Sequence, residues 1–186
     1  MTEAKQLEMK NRQERKIELI DQIVPVKLRL QEDKFFEKFQ KHKGNPLTKL
    51  KLIYSFTDEI YGYVYKVIIC KKGCSYCCYI PVSISEIEIE HIENSTRLKR
   101  KKLPKFDIRQ SVPCPLLKDN MCSIYEYRPF LCRRFITLND TPEFCYPDVI
   151  HTHESLLFSY SEINKAYSSL IYDKPVQDIR EVFKPD

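Results

Sequence analysis

The chain has 186 residues, 42% hydrophobic and 31% charged, a composition that suits one soluble globular domain with a modest core. It holds eight cysteines, no tryptophan and only three glycines (Gly44, Gly62 and Gly73); three scattered glycines exclude the GxGxxG turn and the Walker phosphate loop. The net charge of +5 belongs to residues 1–52, with 13 Lys/Arg against 8 Asp/Glu, while residues 53–186 hold 18 of each.

The opening stretch MTEAKQLEMKNRQERK is charged throughout and has no apolar core of a secretory signal. No stretch approaches the roughly 18 apolar residues of a membrane span, and the longest apolar patch, residues 61–70, is broken by Lys66. A cytoplasmic, reducing location is expected, with no membrane contact. Clustered cysteines there bind metal or do redox work rather than form structural disulfides.

Residues 3–24 read as a helix with Ile17, Ile20 and Val24 on one stripe, interrupted by Pro25. A second helix is predicted over 32–43, carrying Phe35, Phe36 and Phe39, and stopped by Gly44-Asn45-Pro46. From Leu47 an amphipathic pattern through Leu50, Ile53, Ile60, Val64 and Val67 predicts a long helix delivering its end to Cys70. Ser83-Ile84-Ser85-Glu86 reads as a capping box starting a helix to about Glu93. Residues 94–111 read as a polar, basic connection. Its run Arg97-Leu98-Lys99-Arg100-Lys101-Lys102 has no interleaved aromatics, so a solvated loop is expected there and nucleic acid is not the expected partner. Residues 114–125 predict two short strands around Lys118-Asp119-Asn120, and Pro129 suits the first turn of a short helix over 128–135. A final helix is predicted over 153–172, with Leu156, Leu157, Tyr160, Ile163, Tyr167, Leu170 and Ile171 on one face, followed by a fraying tail.

The cysteines carry the chemistry. Cys70, Cys74, Cys77 and Cys78 fall within nine residues; Cys114, Cys122, Cys132 and Cys145 follow. Thiolates are soft anionic ligands for zinc or iron, and ligands two to four residues apart can wrap one ion from a single turn. Gly73 lets that turn tighten. Cys77 and Cys78 are expected to point in different directions, serving two metals or leaving one thiol turned away. Eight thiolates fit two four-cysteine zinc sites, or an iron–sulfur cluster plus a second site. The CxxxCxxC at Cys70, Cys74 and Cys77 has radical S-adenosylmethionine spacing, but the poverty in glycine removes the cofactor contacts of that fold. Lys71, Lys72, Arg128, Arg133 and Arg134 are cations available to an anionic centre. Arg128 and Arg133 are the candidate contacts to the bound group, through sulfurs or nearby carbonyls. Pro115 and Pro129 stiffen the loops beside the ligands.

Other side chains are expected to be structural. His42 and His91 read as solvated, and His151 and His153 as the start of the last helix. Glu86, Glu88, Glu90 and Glu93 read as a solvated carboxylate face. Tyr76, Tyr79, Tyr125 and Tyr127 read as packing groups around the thiols.

Cys74-Ser75-Tyr76-Cys77-Cys78, with Cys114-Pro115-Leu116-Leu117, Cys122-Ser123-Ile124-Tyr125 and Arg128-Pro129-Phe130-Leu131-Cys132-Arg133-Arg134-Phe135, resembles the YkgJ-type cysteine-cluster family over residues 70–145. The resemblance implies zinc or iron chelation by the eight cysteines. One branch of the family is associated with flagellin lysine N-methylase, which implies a protein-modifying alternative using S-adenosylmethionine and an iron–sulfur centre, with a protein as substrate. A thiol redox sensor is the remaining alternative. The expected fold is mainly α, with a small irregular or two-stranded region organised by metal. Residues 1–69 form its N-terminal helical segment, 70–145 its metal-binding region and 146–186 its C-terminal helix and tail, packed as one domain.

Overall fold

The N-terminal third is helical because its apolar residues recur at three- and four-residue spacing. The computed structural model describes residues 2–101, 105, 112–150 and 156–184. Helix α1 (Glu3–Ile23) buries Gln13 and Ile20. Pro25 ends it but also opens α2 (Val26–Glu32), a helix the sequence pattern missed; proline tolerates a helix start, where its missing N–H is not needed. Helix α3 (Phe35–Lys41) buries Phe35 and Phe39.

Helix α4 (Pro46–Val64) is the axis of the main core. Asn45 caps it by accepting the Thr48 N–H at 2.8 Å. Its buried face, with Leu50, Ile53, Ile60, Tyr61 and Val64, packs on α8 (Ser161–Ile171) and α6 (Phe130–Arg134). The helix stops at Val64, and turns rather than helix carry the chain on to Cys70.

Strand β1 (Ser83–Ser85) precedes α5 (Glu86–Ser95). The capping box lies two residues later than the sequence reading: Ser85 is the N-cap, and its N–H donates to Glu88 at 2.9 Å. Ser83 is drawn into the strand instead. Strands β2 (Leu117–Lys118) and β3 (Met121–Cys122) form the expected hairpin. Asp119 and Asn120 both have positive φ, the backbone of a primed two-residue turn, which these residue types tolerate. Pro129 is the N-cap of α6 rather than a residue of its first turn.

The tail does not fray over its described part. Strand β4 (Val176–Asp178) pairs antiparallel with β1, and α9 (Ile179–Val182), the last helix described, follows α7 (Pro147–Ile150) and α8 in chain order. Ile179, Val182 and Phe183 enter a second core with Ile84, Ile89, Ile92, Leu116 and Ile124. The expected helix start at 153, with His151 and His153, lies outside the described residues. Helix α8 starts only at Ser161, so Leu156, Leu157 and Tyr160 of the expected apolar face precede it, and Leu157 is 96% exposed.

Glu88 ties α5 to the main core. It is fully buried, not solvated, and accepts from Tyr54 Oη (2.9 Å), Tyr167 Oη (2.7 Å) and the Phe130 N–H (2.8 Å). A buried carboxylate is tolerated when its oxygens are filled by donors in this way. His91 is also buried, edge-on to the Tyr54 ring. Among the described residues no helix is long and apolar enough to cross a membrane.

Candidate metal centre

All eight cysteine side chains line one cavity of about 100 Å³, and all eight are free thiols. Five short elements bring them there. Cys70 and Cys74 flank a turn in which Cys74 N–H donates to Lys71 at 3.1 Å and Gly73 takes φ +94°, a left-handed value that favours glycine. Cys77 and Cys78 sit in a 3-10 turn, Tyr76–Tyr79. Cys114 precedes the β2–β3 hairpin and Cys122 lies in β3, Cys132 lies in α6, and Cys145 ends the 3-10 turn Pro142–Cys145.

Backbone bonds tie these pieces together. Cys114 N–H donates to the Cys78 carbonyl at 2.7 Å, joining the first cysteine group to the hairpin. The Thr137 N–H donates to Cys70 Sγ at 3.5 Å, and Thr137 also hydrogen-bonds Cys145. The N–H groups of Leu116 and Ile124 point at the sulfurs of Cys114 and Cys122. Such donors stabilise thiolate over thiol and tune metal–sulfur bonds.

Among the described residues the cavity lining contains no carboxylate and no imidazole, and its charged members are Lys71 and Arg128. Burial pushes the Cys114 thiol up to about 12 and Cys145 up to about 11. Burial raises Cys70, Cys122 and, strongly, Cys132 as well. Cys77 and Cys78 do not diverge as expected: their thiols hydrogen-bond each other, which pushes Cys77 well up and Cys78 down, with Arg180 also favouring the Cys78 thiolate. The 3-10 turn keeps the neighbouring side chains close. Among the described residues, no three His, Cys, Asp or Glu side chains are drawn close enough to hold an ion as they stand. The sulfur-only donor set, the N–H groups aimed at sulfur and the flanking cations fit zinc or iron.

The two candidate arginines differ in place. Arg128 lines the cavity, stacks on Tyr125 at 3.9 Å and donates to the Tyr125 carbonyl at 2.7 Å. Arg133, 2% exposed, turns away from the sulfurs: it donates to the carbonyl of Arg128 at 2.9 Å, pairs with Asp58 and lies over Tyr54. It holds the backbone leading into α6. Lys72 pairs with Glu126 at 3.1 Å on the surface. Tyr76 and Tyr79 pack on Tyr146. Arg100 of the basic run is paired with Glu86 and Glu93, whereas Lys102 lies outside the described residues.

Three supporting residues escape sequence reasoning. Arg180 donates to the carbonyls of Val112 (2.9 Å), Cys78 (3.3 Å) and Ile80 (3.1 Å). Thr137 serves Cys70 and Cys145. Glu88 holds the Phe130 N–H at the start of the Cys132 helix. For Glu88 the signal was present: it stands three residues after Ser85, the capping-box spacing. Arg180 and Thr137 carry no local signal.

A mainly helical protein whose eight thiols face one carboxylate-free cavity has the frame of a metal-chelating domain. Residues 69–149 match the CxxCxxCC family model, described as "putative zinc- or iron-chelating domain". The match falls on the segment over which the sequence resembles the cysteine-cluster family. No curated protein and no solved structure matches the chain at a significant level.

Proposed function

We propose that residues 70–145 chelate zinc or iron through sulfur alone, with Cys70, Cys74, Cys77, Cys78, Cys114, Cys122, Cys132 and Cys145 as ligands, in a reducing cytoplasm. Residues 1–69 and 146–186 are the frame that positions them. The observation that carries this reading is the convergence of all eight thiols on one cavity. Soft sulfur donors select zinc and iron over magnesium and calcium.

The protein's own residues prepare the site. Backbone N–H groups of Leu116, Ile124 and Thr137 stabilise thiolate, while Arg128 and Lys71 offset the accumulating negative charge. A bound metal supplies cross-links between segments far apart in sequence, so binding free energy becomes folding free energy.

Anaerobic purification with elemental analysis and a visible spectrum tests the reading. Zinc or iron is expected at stoichiometric level, and a cysteine-rich chain that takes up neither would overturn it. Iron with sulfide and absorbance near 400 nm would select the cluster form, and colourless zinc the mononuclear form.

A further inference from the structure

Helix α1 buries an amide, Gln13 (1% exposed), as well as Ile20. A buried amide costs free energy unless both its ends are bonded. Gln13 Nε2 donates to Asn139 Oδ1 at 2.6 Å, 126 residues away in sequence, and Oε1 accepts the Leu156 N–H at 2.8 Å. One turn on, Lys16 Nζ donates to the carbonyls of Leu138 (2.9 Å) and Asn139 (3.0 Å) and pairs with Asp140 at 2.7 Å. Arg12 reaches the other Asp140 oxygen at 3.0 Å. One face of α1 therefore grips residues 138–140 through polar bonds.

That stretch leads back to the thiols. The Asn139 N–H donates to Thr137 Oγ1 at 3.1 Å, and the Thr137 N–H donates to Cys70 Sγ at 3.5 Å. With Asn139 filling a lone pair of its oxygen, the Thr137 hydroxyl keeps its proton for Cys145, to which its side chain is bonded. Thr137, Leu138 and Asn139 are all buried, so water is a poor substitute for a lost partner. Resting on the chelation reading above, we propose that Gln13 and Lys16 are positioning residues of the metal centre. By fixing residues 138–140 they aim the N–H and hydroxyl of Thr137 at Cys70 and Cys145, and so set how tightly those two sulfurs hold an ion. Donors to a ligand sulfur favour its thiolate and fix its orientation. Both residues lie outside the segment 69–149 that matches the family model, so a helix beyond the cysteine signature governs part of the site. A residue that merely anchored α1 would change stability and leave the sulfurs alone.

The test uses the full chain with Gln13→Met, which keeps the volume and loses both bonds, and with Thr137→Val and Thr137→Ser. Zinc affinity is read by competition with a chromophoric chelator. In the metal-free, reduced protein the alkylation rate of each cysteine is read by peptide mass spectrometry. Gln13→Met and Thr137→Val are each expected to weaken zinc binding by about 10-fold, and Thr137→Ser, which keeps the hydroxyl, to stay close to the unaltered chain. Gln13→Met is also expected to speed alkylation of Cys70 and Cys145 while Cys114, Cys122 and Cys132 keep their rates. Unaltered zinc affinity in Gln13→Met overturns the proposal, and so does faster alkylation of all the cysteines alike, which marks a loosened fold only. Lys16→Met, at a half-buried position, carries the same expectations if Gln13→Met does not fold. An unaltered chain that binds no zinc overturns the chelation reading instead, and the alkylation rates of the metal-free protein still judge the positioning.

Discussion

Arg180 Nη2 donates to the carbonyl of Cys78 at 3.3 Å across 102 residues of sequence. The same guanidinium holds Val112 and Ile80 and pairs with Asp178. It thereby clamps the first cysteine group against the strand-like approach to Cys114. Groups that orient ligands in this way carry about 10–100-fold in metal affinity. Arg180→Ala is expected to weaken zinc binding by about that factor, with Arg180→Lys intermediate because one ammonium cannot reach three carbonyls. Competition against a chromophoric chelator measures it; equal affinities for all three proteins would remove the clamp from the account.

Glu88 is the second long-range device. Removing its carboxylate strands the Tyr54 and Tyr167 hydroxyls and the Phe130 and Ser85 N–H groups. Unpaired buried donors cost about 1–3 kcal/mol each before relaxation. Glu88→Leu is expected to lose at least about 3 kcal/mol in denaturant unfolding, and Tyr167→Phe much less, since it removes a single donor. Similar midpoints for the two variants would contradict the hub role.

Loading should release protons. Burial holds Cys114 up to about 12 and Cys145 up to about 11, and raises Cys70, Cys122 and Cys132. These thiols are neutral near pH 7, so a metal must displace their protons, and affinity must climb as pH rises. Between pH 6.5 and 8.5 the logarithm of zinc affinity is expected to increase with a slope approaching the number of thiols deprotonated. Without metal the sign reverses for folding. The unfolded thiols ionise from about pH 8.5 while the buried ones stay protonated, so stability is lost as pH rises from there toward about 11 to 12. Zinc is expected to abolish that alkaline loss. A pH-independent affinity would show that the thiolates are already formed.

Chelation should act regionally. The main core rests on α1, α3, α4 and α8 with Ile20, Leu50, Ile60 and Ile163, and none of these residues is a thiol ligand. Treatment with chelator under reducing conditions is expected to raise amide exchange over 70–82 and 112–135 while α4 stays protected. Uniform exchange along the whole chain would mean that metal holds both cores together.

Short-range signals carried much of the fold. Apolar spacing marked α1 and α4, and Asp119 and Asn120 marked the hairpin turn. Proline misled once, because its covalent geometry both ends α1 and opens α2, and spacing alone does not distinguish the two uses. The capping box slipped by two residues for a related reason: Ser83 and Ser85 both satisfy the pattern, and only pairing of β1 with β4 removes Ser83 from the choice.

From its sequence alone, the protein is a mainly helical chain with eight thiols spaced for metal and a family signature around them. Those properties are local, being written in residue type, spacing and turn chemistry. Tertiary structure decided which thiols are neighbours, that Cys77 and Cys78 meet, that Glu88 and His91 are buried, and that the tail carries Arg180 back to Cys78. Each of these depends on contacts between segments tens of residues apart, where burial and hydrogen-bond pairing, not the neighbouring residues, set the environment.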